Sequence, residues 1–226
     1  MVNGGFAEYV AVPAKQTHLV SDGCSLMKAA MTEPLACCLH GIDMCDIRPG
    51  DRVCVIGAGM IGLIMLQLAK LSGAAFVAVS EPVAAKRQEA EKLGADLCLD
   101  PSSMPEDAFL SLCGKYDFNC VIECAGLTRT IEQAVRIAGK KATVMMFGLT
   151  KPDDAISLKP YDVFSKELTL RSSYINPYTQ ARALALIENG RVDVSGMVCE
   201  PISLEKLGEV LASPQLRARG KYVVKL

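Results

Sequence analysis

The chain has 226 residues, half of them hydrophobic and 22% charged, with 24 basic and 25 acidic residues and a net charge of −1. That length buries a sizeable core, as one large domain or one domain with a smaller lobe, and the apolar content excludes a disordered tail. A pI near 6.2 leaves no basic footprint for nucleic acid, and the longest apolar stretch, Met60 to Ala69, is broken by Gly62 and Gln67 and too short to span a membrane.

The first ten residues hold no basic residue and no apolar segment, so no secretory signal is expected. Residues Ala7 to Val12 then read as a strand outside any helix-alternating pattern. From residue 50 onward, β-rich runs alternate with helical ones, the pattern of βαβ units and a parallel sheet. The expected strands are Arg52–Ile56, Phe76–Ser80, Leu97–Leu99, Phe118–Glu123, Ala142–Phe147 and Leu168–Ser172. Between them, helices are expected after Gly59 up to Gly73, over Ala84–Leu93, Glu106–Leu112 and Thr130–Ala138. The strands are continuous apolar runs, as they must be when helices cover both faces. Two such halves meeting near Phe118 make a doubly wound α/β nucleotide-binding fold. Beyond the sheet, Asn176 and Pro177 suit the start of a helix ending at Asn189–Gly190. Ser203 suits the cap of another, and Tyr222–Val224 a last strand.

Ten cysteines are spread along the chain with no Cys-x-x-Cys spacing, which argues against a structural zinc site. Several lie inside apolar runs, as in Val53-Cys54-Val55, where a free thiol packs as a small hydrophobe. The expectation is reduced thiols and a cytoplasmic location.

The chemistry begins at Gly57-Ala58-Gly59-Met60-Ile61-Gly62, a G-x-G-x-x-G run directly after a strand and opening a helix. The first glycine makes the tight turn, the second lets the backbone approach a pyrophosphate, and the third brings helix and strand together. The helix N-terminus then offers N–H groups and partial positive charge to the diphosphate. Glu81, 24 positions after Gly57, is spaced to accept hydrogen bonds from a ribose, which favours NAD over NADP. The same acid also suits an ordinary helix start beside Pro82. Lys86 and Arg87 stand near enough to approach the same ribose, and both also fit a solvated helix face. Cys124-Ala125-Gly126 and Phe147-Gly148-Leu149 end two strands in small residues, as either ligand contacts or plain turns.

With Gly4-Gly5-Phe6-Ala7-Glu8-Tyr9-Val10, Glu33-Pro34-Leu35, Glu167-Leu168-Thr169-Leu170 and Gly220-Lys221-Tyr222-Val223-Val224, these motifs give a chain that resembles the medium-chain zinc-dependent dehydrogenases, nearest their sorbitol and threonine dehydrogenase branch. The resemblance implies a Rossmann domain over 37–172, with remnants of a GroES-like catalytic domain at both ends, 1–36 and 173–226. It implies NAD as cofactor, bound by Gly57, Gly59, Met60, Ile61, Gly62, Glu81 and Lys86. Cys124, Ala125, Phe147, Gly148, Leu149, Ser173, Tyr174 and Ile175 would lie about the nicotinamide. The implied substrate is a secondary alcohol or polyol, and the implied assembly a homo-oligomer, with Leu168–Ser172 as a pairing edge. Glu33 matches a glutamate near the family's catalytic zinc, though Thr32-Glu33-Pro34 also makes a good helix start. His40 reads as a satisfied histidine and His18 as surface. The cysteine and Gly-His-Glu that complete the zinc site are absent, so the chain is expected to begin midway through the catalytic domain and not to hold zinc itself. A non-catalytic NAD-binding module and a zinc-free quinone-type reductase are the alternatives.

Overall fold

Strand formation here follows from side chains that pack on both faces at once. The structure is a computed structural model describing residues 4–217 and 219–226. It divides into two units, one of residues 1–33 with 180–226 and one of residues 34–179. The segments 34–36 and 173–179 thus go with the sheet.

The short helix α1 (Leu26–Ala29) lies in the first unit, and α2 (Thr32–Asp43) enters the second. There β1 (Arg52–Ile56), β2 (Phe76–Ser80), β3 (Leu97–Leu99) and β4 (Phe118–Glu123) occupy the expected positions. The helices between them are α3 (Met60–Leu71), α4 (Ala84–Lys92) and α5 (Glu106–Gly114). They are followed by α6 (Thr128–Ile137), β5 (Ala138–Met146), α7 (Pro160–Ser165) and β6 (Thr169–Ser172). The six strands are all parallel in the order β3-β2-β1-β4-β5-β6, a doubly wound Rossmann sheet.

Ile64, Met65, Leu66 and Leu68 of α3 are fully buried, as are Phe109, Phe118, Ile122 and Met145. Each such side chain contributes roughly 1.5–3 kcal/mol on leaving water. On one side Phe76, Tyr116 and Phe118 stack in a row, with ring centroids 5.4 and 5.6 Å apart.

The register sets the site. Leu99, Ser80, Ile56, Glu123, Met146 and Ser172 pair in one row across the sheet. The residues just past that row therefore share one edge, and strand order reverses between β1 and β4, where a crevice must open.

Four expectations are corrected. Ala7–Val12 forms no strand: among the described residues no backbone group pairs with it, and Tyr9 is 91% exposed. A strand without a partner leaves its N–H and C=O groups to water. The fifth strand starts at Ala138 instead of Ala142, because Lys141 at φ 61° forms an irregularity that lets pairing begin at Phe118–Ala138 and resume at Cys120–Thr143. The next helix, α8 (Gln180–Glu188), begins beyond Asn176 and Pro177, since Tyr178 at φ 60° breaks the helical path. Tyr222–Val224 forms no strand: among the described residues the segment 221–224 makes only isolated bridges, Val198 to Lys221 and Ile202 to Val224, because Pro201 in the facing segment has no N–H to extend a ladder.

The first unit also holds α9 (Leu207–Ala212), entered through a 3-10 turn at Leu204–Lys206, and α10 (Pro214–Arg217). Its N-terminal part is tied to α8 by the Ser21 N–H, which donates to Glu188 at 2.7 Å. Among the described residues no helix is long and apolar enough to cross a membrane.

Candidate functional site

At the end of β1, Gly57 turns at φ 99°, and its N–H donates to the Ser80 carbonyl at 2.8 Å. Gly59 then precedes α3 in an extended conformation, with no side-chain cap, and a Cβ placed on it meets nothing within 4 Å. Gly62 is the opposite case: its Cβ would stand 1.8 Å from the Gly57 carbonyl oxygen. Each glycine has its own reason, and only the reason for Gly59 points outward. The uncapped start of α3, carrying the half-buried Met60 and Ile61, faces that open space with partial positive charge.

Glu81, at the end of β2, is only 5% exposed. Its Oε2 accepts from the Ala58 N–H at 2.8 Å and its Oε1 from the Val83 N–H at 2.9 Å. The acid thus grips the middle of the glycine turn, and a carboxylate with about four acceptor sites keeps room for hydroxyl donors. Arg87 is committed elsewhere. It donates to the carbonyls of Glu81 and Pro82 at 2.7 and 2.8 Å and pairs with Asp100 at 3.1 Å. The Ser102 hydroxyl and N–H, with Arg87 beside them, hold the Asp100 carboxyl below its usual range. Lys86 is exposed on the outer face of α4. A cavity of about 390 Å³ lies here, lined among others by Gly57, Glu81, Ser102, Ala125, Leu127 and Arg129.

Across the switch point, Glu123 ends β4 with no exposed surface. Its Oε1 accepts from the N–H groups of Ala125 and Gly126 at 2.8 and 2.9 Å and from the Thr130 hydroxyl at 2.7 Å. Its main-chain carbonyl accepts from Phe147 and Gly148 at 3.0 and 2.9 Å, joining the two strand ends. Gly126 and Gly148 meet there, since a Cβ on Gly148 would lie 2.2 Å from the Gly126 nitrogen. Burial first, then Cys38, Glu123 and Cys45, push the Cys124 thiol well above its ordinary value, so it remains a thiol and a poor nucleophile. Phe147 packs its ring over Gly41 of α2, where a Cβ would come within 2.9 Å of it. Leu149 and Tyr174 stand 95% and 82% exposed, with Ser173 and Ile175 in the same loop as Tyr174, Ile175 at φ 52°.

The second unit therefore holds the glycines, Glu81 and the two strand-end segments along one sheet edge. Glu33 sits exposed in the first turn of α2, counted with the other unit. Among the described residues no three His, Cys, Asp or Glu side chains come together in a way that would hold a metal ion. Glu123, Thr130 and the fastening of Arg87 were not foreseen. Of these only Glu123 left a trace in the sequence, an acid closing the apolar run Cys120-Val121-Ile122.

The family profile described as zinc-binding dehydrogenase matches residues 61–189, more than half of the chain. The chain belongs to the zinc-binding dehydrogenases. It is 28% identical over 228 residues to D-arabinitol dehydrogenase 1 of Uromyces fabae, covering 99% of this chain and 65% of that protein. To erythritol/L-threitol dehydrogenase of Mycolicibacterium smegmatis it is 29% identical over 227 residues, covering 99% of this chain and 61% of that one. Among solved structures, a protein of Sinorhizobium meliloti described as a zinc-binding dehydrogenase bound to NADP superposes with a TM-score of 0.93 at 36% identity, over 99% of this chain and 66% of that one. This zinc-binding dehydrogenase chain thus spans less than two thirds of the length of these relatives.

Proposed function

We propose that this chain is the cofactor-binding portion of an NAD-dependent dehydrogenase that moves hydride between a secondary alcohol or polyol and the cofactor. The observation that carries the reading is the Glu81 carboxylate, buried beneath the glycine turn and bonded to the Ala58 N–H. From there it accepts the ribose hydroxyls, and the same negative charge repels a 2′-phosphate. The Sinorhizobium meliloti relative carries NADP. Here Arg87, the cation fastened beside Glu81, is spent on two carbonyls and Asp100, while Lys86 on the same helix is exposed. The N–H groups about Gly59, Met60 and Ile61 hold the diphosphate. Cys124 and Ala125, Phe147 to Leu149, and Ser173 to Ile175 flank the nicotinamide, which when bound accepts the hydride. Polyol chemistry is supported by the names of the D-arabinitol and erythritol/L-threitol enzymes.

The domain reading that goes with this takes 37–172 as the cofactor domain and 1–36 with 173–226 as parts of a GroES-like catalytic lobe. Of the residues present, only Glu33 is assigned to the surroundings of the family's zinc. Catalytic zinc takes three protein ligands, so the described residues do not fit the ion. A homo-oligomer paired through the exposed edge strand β6, and a cytoplasmic location in keeping with ten unbridged cysteines, complete the reading.

Titration calorimetry with NAD and NADP tests it. NAD is expected to bind more tightly by roughly ten- to hundredfold, the worth of a charge-assisted hydrogen bond, and Glu81→Ser to erase the difference. Equal or tighter binding of NADP by the unmodified chain would overturn the assignment.

A further inference from the structure

Glu123 poses a problem of charge. It has no exposed surface, and none of the ion pairs among the described residues includes it. Three donors converge on Oε1, while Oε2 is buried without a hydrogen-bond partner. A carboxylate at such depth with no counter-ion and one oxygen unpaired is costly to keep, and an apolar side chain would pack there more cheaply. Gly148 is what admits it: a Cβ at that position would lie 2.7 Å from Oε2. The carboxylate therefore reaches the backbone of the β5 turn directly, with water excluded and its field little screened.

The ligand edge of a doubly wound sheet has two mononucleotide halves, and β4 and β5 belong to the second. If the adenosine half lies over Gly57 and Glu81, as the proposed function has it, the nicotinamide half lies over the turns that Glu123 holds. That ring is cationic when oxidised and neutral when reduced. We infer that Glu123 is an oxidation-state selector, its buried carboxylate favouring the oxidised, positively charged nicotinamide over the reduced ring, and that this inference rests on the cofactor reading above. The carboxylate costs the empty protein stability and recovers it only when a cation arrives at the β4–β5 turns. Glu123 makes no contact with the hydride in this account; it acts on the ring through the field and through the turns it positions.

The test compares ligands that differ in one property each. NAD+, its neutral analogue with a benzamide ring in place of nicotinamide, NADH and ADP-ribose are titrated into the unmodified chain, Glu123→Gln and Glu123→Asp. NAD+ should bind about tenfold more tightly than the benzamide analogue, as expected for one unit charge at short range in a partly desolvated site. Glu123→Gln should bring the two within about twofold and lower NAD+ affinity relative to NADH by a like factor, while Glu123→Asp keeps the preference. ADP-ribose, which lacks the ring, should bind all three proteins alike. NAD+ and the benzamide analogue binding equally to the unmodified chain overturns the inference, and needs no variant to fold. So does a Gln variant that weakens NAD+, NADH and ADP-ribose by one common factor, which marks a structural role only. Binding of ADP-ribose without charge preference sinks this inference and leaves the cofactor reading standing, whereas binding of none of the four ligands sinks both.

Discussion

Gly59→Ala and Gly62→Ala separate the two jobs of one glycine turn. At Gly59 the backbone is at φ −70° and a Cβ meets nothing within 4 Å, so alanine fits the folded chain without strain. Its methyl nevertheless occupies the open space before α3, where the proposed function brings a diphosphate within hydrogen-bond reach of the backbone. Losing one charge-assisted hydrogen bond there costs about 1.5–3 kcal/mol, or roughly ten- to hundredfold in NAD affinity. At Gly62 the methyl would stand 1.8 Å from the Gly57 oxygen and 2.8 Å from its carbon. Ordinary contact begins near 3.4 Å, so α3 must back away from the turn by about 1.5 Å against fully buried Ile64 and Met65. Helix propensity returns about 1 kcal/mol for replacing glycine, but overpacking of this kind costs about 1–3 kcal/mol and the obstacle is backbone, which has no rotamer to yield. Thermal unfolding followed by circular dichroism should therefore show Gly59→Ala unchanged or slightly stabilised and Gly62→Ala destabilised, while calorimetry shows NAD binding weakened in both. Gly59→Ala binding NAD with full affinity, or Gly62→Ala melting with the unmodified chain, would refute the division of roles.

Asp96 holds the start of β2 through Val77 N–H, at 2.6 Å, and an ion pair with Lys70. Partial burial pushes its carboxyl up, but the Lys70 ammonium and the Val77 N–H outweigh this and hold it below its usual value. A depressed carboxyl contributes stability above its unfolded pKa of about 3.9 and loses it as pH falls through the folded value, so Asp96→Asn should flatten the acid side of a stability–pH profile below about pH 4. At neutral pH the loss should stay under about 1 kcal/mol, since the pair is a third exposed; an unaltered acid side would refute the role. The chain as it stands should hold no stoichiometric zinc by mass spectrometry and form no NADH from a panel of secondary alcohols and polyols; stoichiometric metal with zinc-dependent turnover would refute this. Light scattering at micromolar concentration should show a dimer or larger species, and Thr169→Pro in β6 should reduce it, whereas a clean monomer counts against pairing through that edge.

The parallel sheet was legible because its strands are apolar on both faces and separated by helices of strong period, which leaves Arg52–Ile56, Phe76–Ser80, Leu97–Leu99 and Phe118–Glu123 little freedom. What could not be read depends on partners far away in the chain. Ala7–Val12 has the β-favouring residues of a strand but nothing to pair with among the described residues, and Tyr222–Val224 faces a proline. Asn176-Pro177 is sound helix-start chemistry overruled by the left-handed Tyr178. In the candidate site the glycines and Glu81 stood out because their spacing is that of a dinucleotide fingerprint, and the structure brings them together through the Ala58 N–H. The fastening of Arg87 to Asp100 was invisible, since a basic residue on a polar helix looks alike whether tied or free.

Glu81 and Glu123 stand at the same edge of the sheet, one beside each half's small-residue turn. Glu81 follows the last residue of β2 and Glu123 is the last of β4, and each turns its carboxylate back onto backbone N–H groups of a small-residue turn, Ala58 in one case and Ala125 with Gly126 in the other. A turn that must lie flat beneath a ligand cannot use its own side chains to stay in shape, because those would fill the ligand's place. Its shape has to be held from below, and a carboxylate, an acceptor of several N–H bonds at once, does that without offering a competing donor. The difference lies in what remains. Both oxygens of Glu81 have partners and the cavity lies beside it, so its spare acceptor capacity faces that cavity; Glu123 is sealed, one oxygen holding three donors and the other unpaired, so its remaining capacity is the reach of its charge. Two buried carboxylates at one sheet edge therefore differ in what their oxygens touch and in the cavity beside one of them, and on that difference rest the two proposed roles, one toward a hydroxyl and the other toward a positively charged ring.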